Sequence, residues 1–439
     1  MPEGWEWCRV RDIAAVKGGK RLPKGVGFSP CRTAHAYIRV TDMKNHSINT
    51  DDLKYISEEV FLQIKNYTIS KDDLYVTIAG TIGVTGEVPT ELDGMNLTEN
   101  AVKITNIQIN KTYLCLIIQS EFVQQQFQDK THQVAMPKLA LERILSTLIP
   151  VCTITTQSAM VSKFVEMDSL INQIREEKEI LAETVSLTKS KILDLAIRGQ
   201  LVPQDPNDEP ASVLLERIRA EKEELIKAGK IKRDKKESII FRGEDNSYYQ
   251  QTGTLIENIN DWNLDDIPIN WELCCLGEIC DYGNCVNVDT KDIDEEAWVL
   301  DLEDIEKDSG KVIHKIRKYE RDSSSTKHLF KKGQVLYSKL RPYLNKVVLA
   351  DEEGFCTSEI LPLNFSNVVE PQYALYYLMS PTFLKYANRC SYGVKMPRLG
   401  TADGRKAVFP LPPFEEQRRI SQHISKIFIE IDNISNMLL

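Results

Sequence analysis

A chain of 439 residues is too long for one ordinary domain, and 42% hydrophobic with 27% charged residues fits a globular rather than a disordered or fibrous class. No apolar run approaches the roughly 20 residues of a membrane span; the opening MPEGWEWCRV lacks a secretory leader's apolar stretch, and ten scattered cysteines show no disulfide or zinc spacing, so the expectation is a cytoplasmic chain with reduced thiols and no membrane partner. A net charge of −9 argues against nucleic acid only on average, because phosphate contact depends on local patches and the charge here is segregated along the chain.

Residues 1–152 read as a first mixed α+β domain. Short runs rich in Val, Ile, Thr and Tyr, cut by Gly, Pro and Asn turns, predict strands in AYIRVTDM (from Ala36) and DDLYVTIAGTIGVTGEV (from Asp72), with short helices near 113–127. The segment KGGKRLPK carries four cations and no anion, which makes Lys17, Lys20, Arg21 and Lys24 candidate phosphate contacts. The turn after the second strand offers Thr77, Thr81 and Thr85, and the later MPKL offers Lys138. GTIGVTG lacks the G-K-[ST] ending of a phosphate loop and sits in a strand–turn–strand pattern instead.

Over 153–199 the hydrophobic period changes. Met160, Phe164, Met167, Ile171, Ile174, Leu181, Val185, Ile192 and Leu195 follow steps of four and three, a heptad stripe interrupted at Lys178 and Thr188. Residues 153–198 would form a helix about 69 Å long. A polar connector, 200–266, follows: a Pro-rich stop (GQLVPQDPNDEPA), a short amphipathic helix (ASVLLERIRAEKEELIKAG), the cation run KIKRDKK read as a solvated linker, and a stretch with no assigned structure.

Residues 267–412 repeat the first plan. NWELCCLGEIC echoes GWEWCRVRDIA, AWVLDLEDI echoes AYIRVTDM, GQVLYSKLRPYLNKVVL replaces the Asp72 run, and MPRL follows MPKL at an offset of 260 residues. Ten acids against two bases fill 289–308, whereas 331–346 carries five cations and no anion. Lys339, Arg341, Tyr343, Asn345 and Lys346 on that basic turn, with Arg398 as the repeat partner of Lys138, are the second domain's candidate DNA contacts. Residues 413–439 form a second heptad helix through Ile424, Ile427, Ile431 and Ile434, only about 40 Å long. Its entry LPPF resembles an amino-methyltransferase loop, but Leu411 cannot accept a hydrogen bond from a target amino group; the prolines and Glu415–Glu416 suit a helix start. No catalytic or metal-binding constellation is present in the sequence.

The expected fold is thus α+β: two similar mixed α/β domains with a pair of long heptad helices between them. The inequality of the two helices predicts that the first outruns its partner and exposes Leu181, Val185, Ile192 and Leu195.

LAIRGQLVPQDPNDEPASVLLERI (195–218), LYSKLRPYLNKVVLA (336–350), LPPFEEQRRI and the internal repeat together resemble the specificity (S) subunits of type I restriction–modification enzymes, over essentially the whole chain. The resemblance implies two target-recognition domains, each reading one part of a bipartite double-stranded DNA target in the major groove, separated by a long antiparallel helical coiled coil as a ruler between them. It implies a non-catalytic subunit that docks methylation (M) subunits, two of them, and through these the restriction (R) subunits. S-adenosylmethionine, ATP and magnesium would then belong to the partners, with no cofactor in this chain. The exposed stripe would receive a methylation subunit.

Overall fold

The computed structural model describes residues 2–129, 138–229, 237–245, 247–262, 264, 266–321 and 325–438, so the cation run at 230–236 and Met136 lie outside the described residues. The chain divides into two compact units, Met1–Arg175 and Glu176–Leu439, with the boundary inside one helix.

The first unit is built on two four-stranded sheets. Leu74–Thr77, every residue buried, pairs antiparallel with Ala101–Thr105 and with Thr85–Glu87. In the other sheet His35–Ile38 runs parallel to Met95–Leu97. β-branched and aromatic side chains suit such doubly covered strands. Val76, Val102 and Ile104 pack on Leu114, Ile118 and Phe127 of the following helices. The unit closes on itself through a ladder in which Glu6 faces Val151 and Arg9 faces Leu148.

The second unit repeats these pairings. Glu272–Cys275 pairs with Val408–Leu411, Val335–Ser338 pairs with Ile360–Leu363 and Val347–Leu349, and Trp298–Leu300 runs parallel to Gly354–Thr357. Even the tyrosine fastenings recur: Tyr113 donates its hydroxyl to the Pro150 carbonyl at 3.0 Å, and Tyr373 to that of Pro410 at 2.9 Å. The connector is more ordered than its polarity suggested. Ala211–Lys227 is a helix whose Leu214, Leu215 and Ile218 join the main core, and 238–258 forms a three-stranded antiparallel sheet anchored there by Ile240. The strands have only four or five residues and bury polar Ser238 and Gln250 while Ile239, Phe241, Leu255 and Ile256 face out, so no apolar-in, polar-out alternation marks them in the sequence.

The first long helix spans Ile154–Ile197, 44 residues, and the second Phe414–Leu438. Their pairing corrects one expectation. Leu193, Ala196 and Ile197 share a core with Ile420 and Ile424, while Lys189 binds Asp432 and sits over the Phe428 ring. Rising numbers on one helix thus meet falling numbers on the other, and the second helix covers the end of the first rather than its beginning. Leu181, Val185, Ile192 and Leu195 are therefore half-buried, not exposed. The exposed part of the stripe is Met160, Phe164, Met167, Ile171 and Ile174, each 42–54% accessible. On the second helix Ile424 is buried, Ile427 and Ile431 are half-buried, and Ile434 is exposed with Ser435 turned inward in its place.

Asp432 accepts from both Lys189 and Lys311, the latter at 2.7 Å. Burial pushes its carboxyl up, but the two lysines outweigh this and hold it below the ordinary value. A depressed folded value adds stability above the unfolded value, lost as pH falls through the folded one. Asp432→Asn should cost about 1 kcal/mol at pH 7, and the gap from wild type should close in acid. Urea melts from neutral to acidic pH check this; a gap independent of pH would contradict it.

Candidate nucleic-acid interface

Each unit carries the same turn, fixed by the same backbone bonds. In the first, Ile78 N–H donates to Asn100 O and Leu139 N–H to Ile78 O; in the second, Lys339 N–H donates to Glu359 O and Leu399 N–H to Lys339 O. Ala79 bridges Lys138, and Leu340 bridges Arg398. The sequence pairing of Lys138 with Arg398 is thus a spatial equivalence.

The two turns differ in how they meet their backbone requirement. Two positions of each have positive φ: Gly80 (+78°) and Gly83 (+89°) in the first, Arg341 (+50°) and Asn345 (+47°) in the second. Glycine takes this conformation freely, whereas a side chain there costs roughly 1–2 kcal/mol. A Cβ placed on Gly80 meets nothing within 4 Å, so this position tolerates a side chain in space though not in conformation. Arg341 is exposed, and no described residue pairs with its guanidinium.

The candidate residues of the second domain sort into two groups. Lys339 is half-buried and Tyr343 exposed, and neither side chain is engaged by a described residue. Asn345 is buried and donates its amide to the Met379 carbonyl at 3.1 Å, which corrects its reading as a surface contact: it braces the turn. Lys346 donates to the Leu302 carbonyl at 2.6 Å, and burial lowers its pKa. Arg398 is gripped by Glu359, with Nη2 at 2.9 Å and Nε at 3.0 Å.

In the first domain the basic segment and Lys138 converge on Glu99. Arg21 Nε donates to Glu99 at 2.7 Å, Tyr37 donates to Glu99 at 3.3 Å and to the Lys20 carbonyl at 2.7 Å, and Lys138 reaches the Glu99 carbonyl at 3.4 Å. Burial raises the Glu99 carboxyl, but hydrogen bonds from Arg21, its own backbone and Thr98 outweigh it and hold the group below its usual range. Lys20 lies over the Tyr67 ring at 5.4 Å. Lys17 and Lys24 are exposed, with no described partner. Thr77, by contrast, is buried and donates to the Thr81 carbonyl, so it holds the turn and offers nothing outward; Thr81 itself is exposed.

Sequence reading missed the two glutamates. Glu99 and Glu359 stand 260 residues apart, in LTEN and TSEI, but the strand ladders match Glu359 to Asn100, so the two acids sit one position out of register at the same strand end. It also missed a cleft of about 560 Å³ beside the second turn, bordered by Asp301, Glu303, Lys327, Arg341, Lys346 and Met396. Among the described residues no group of His, Cys, Asp or Glu is placed to hold a metal ion, and no helix is long and apolar enough to cross a membrane.

The type I restriction modification DNA specificity domain matches residues 2–183 and again 268–438. The EcoAI specificity subunit of Escherichia coli is 30% identical over 260 residues, covering 56% of this chain and 40% of that protein. The EcoEI specificity subunit of the same organism is 31% identical over 256 residues, with the same coverages. The chain thus spans about two fifths of the length of these curated relatives. Among solved structures, the HsdS subunit from Thermoanaerobacter tengcongensis superposes with a TM-score of 0.52 at 16% identity, covering 100% of this chain and 93% of the other. A chain solved in work on complex assembly and conformational transition of the type I R-M system gives 0.57 at 16% identity, with the same coverages. At that identity the likeness shows the fold. Both halves match one description, and the chain belongs to the type I restriction modification DNA specificity domain family.

Proposed function

We propose that this chain is the non-catalytic DNA-specificity subunit of a type I restriction–modification complex. Each half reads one part of a bipartite target in the major groove. The observation that carries this reading is the turn built twice on one backbone plan, each copy beside its own cluster of cations. Cations on such turns position a domain on phosphates, and neighbouring side chains then reach base edges. The long helices serve as the spacer between half-sites. Two methylation subunits dock on the chain and restriction subunits join through them, and the exposed stripe from Phe164 to Ile174 is the apolar surface such a partner would cover. S-adenosylmethionine, ATP and magnesium act in those partners, and the complex works in the cytoplasm.

Footprinting on random duplexes, with the chain reconstituted with its methylation subunits, tests the reading. A protected bipartite sequence is expected; protection of none would leave a scaffold that does not read DNA. Lys339→Ala should weaken binding to all sequences evenly and reduce the slope of log affinity against log salt by about 0.9, as loss of one phosphate contact does. A change confined to one base position would make Lys339 a base reader instead.

A further inference from the structure

We propose that Arg341 and Glu303 together read one G·C pair for the second domain. Arg341 donates to guanine O6 and N7, and Glu303 accepts from the N4 amino group of the paired cytosine. The assignment rests on the specificity-subunit reading and deepens it.

The first domain supplies an internal control. Gly80 holds the same turn, in the same left-handed conformation, without a side chain. The turn therefore does not need an arginine, and glycine would form it with less strain. A residue kept in an unfavourable conformation, exposed and unpaired among the described residues, points to a use for its side chain outside the fold.

The surroundings favour a base edge over a phosphate. Arg341 borders the cleft with Asp301 and Glu303, and acids beside a guanidinium repel a phosphate. Most of the cleft's other charges are spent. Lys327 donates to Asp301 at 2.9 Å, Arg321 approaches Asp301 at 3.2 Å, and Lys346 is committed to a carbonyl. Among the described residues Glu303 ion-pairs with Arg321 alone, at 3.9 Å, with Lys346 adding a field but no direct contact, and its side chain is 82% exposed. What remains is one fork of donors and one carboxylate acceptor. The major-groove edge of G·C presents the complement: two acceptors on guanine and a donor on cytosine. An A·T pair also offers two acceptors and a donor, but with the adenine amino group between the acceptors, so only G·C sets two adjacent acceptors for the fork and a donor beyond them.

Selection of binding sites from randomised duplexes, using the full chain with its methylation subunits, tests this. Wild type should select a bipartite sequence with a G·C pair at one position of the second domain's half. Arg341→Gly should make that position degenerate and weaken binding to the original site roughly tenfold to a hundredfold. Arg341→Lys, which keeps the charge but not the fork, should fall with it, and Glu303→Gln should loosen the same position alone. Arg341→Gly should melt no lower than wild type; if it misfolds, Glu303→Gln carries the test. An even loss across all sequences, with Arg341→Lys binding normally, would show a phosphate contact and overturn the proposal. If wild type selects a bipartite site that Arg341→Gly leaves unchanged, this assignment alone falls. If wild type selects no bipartite site, the function reading falls and takes the assignment with it.

Discussion

Replacing residues 1–152 with the matching segment of a relative that reads different DNA is expected to change one half of the recognised sequence and leave the other half as it was. The first unit has its own sheets and its own core, and its two ends are zipped together by the Glu6–Arg9 and Leu148–Val151 ladder. It can therefore be exchanged without opening a sheet edge. Among the described residues, Gln157 makes two hydrogen bonds across the proposed joint. Gln157, buried near the start of the long helix, donates to the Cys152 carbonyl at 2.7 Å and accepts from Asn110 N–H at 2.9 Å. A joint after Gln157 keeps that residue with its partners, and such a chimera should melt higher than one joined at 152. Each wrong base pair costs about 1–3 kcal/mol, so the chimera should bind the original target more than a hundredfold more weakly. Site selection with the reconstituted complex measures it. A change in both halves would mean that the domains do not read independently.

Gln417→Ala is expected to remove about 3 kcal/mol of stability, since each orphaned buried polar group costs roughly 1–3 kcal/mol. Gln417 is fully buried at the equivalent place in the second unit. It accepts from Glu370 N–H at 2.8 Å and donates to the carbonyls of Pro412 at 2.9 Å and Val368 at 3.1 Å. This one amide ties the start of the second long helix to the start of the helix Pro371–Met379 and to the loop before it. Alanine leaves an N–H and two carbonyls without these partners in the core. Gln157→Ala, which loses two such hydrogen bonds where Gln417→Ala loses three, should cost less. Urea denaturation of both variants gives the comparison, and equal or negligible losses would show that water or backbone adjustment replaces the amide.

The repeat made such equivalences legible before any coordinates. Gln157 and Gln417, Tyr113 and Tyr373, Lys138 and Arg398 all stand 260 residues apart, and in the structure each pair does the same or a matching job. The interface was legible only in part. The turns were found because they carry Gly, Pro and cations between β-branched runs. Which cations remain available was not readable, since Arg398 is neutralised by Glu359, 39 residues away in the chain, and Arg21 by Glu99, 78 residues away. Thr77 and Asn345 have the chemistry of DNA contacts but point inward to brace their turns.

By itself the sequence determined the duplication, the strand and helix types, and the presence of two apolar helical stripes, because period and turn chemistry are local properties of the chain. Tertiary structure decided what each stripe meets. A heptad reads the same whichever way its partner runs, so only the folded pairing of Lys189 with Asp432 and of Gln204 with Glu416 shows that the end of the long helix is covered while Phe164 to Ile174 is left open. It likewise decided that the short strands at 238–258 join the core, and that Arg341 rather than Arg398 has its charge to offer, since burial and ion pairing depend on residues brought together from far apart in the chain.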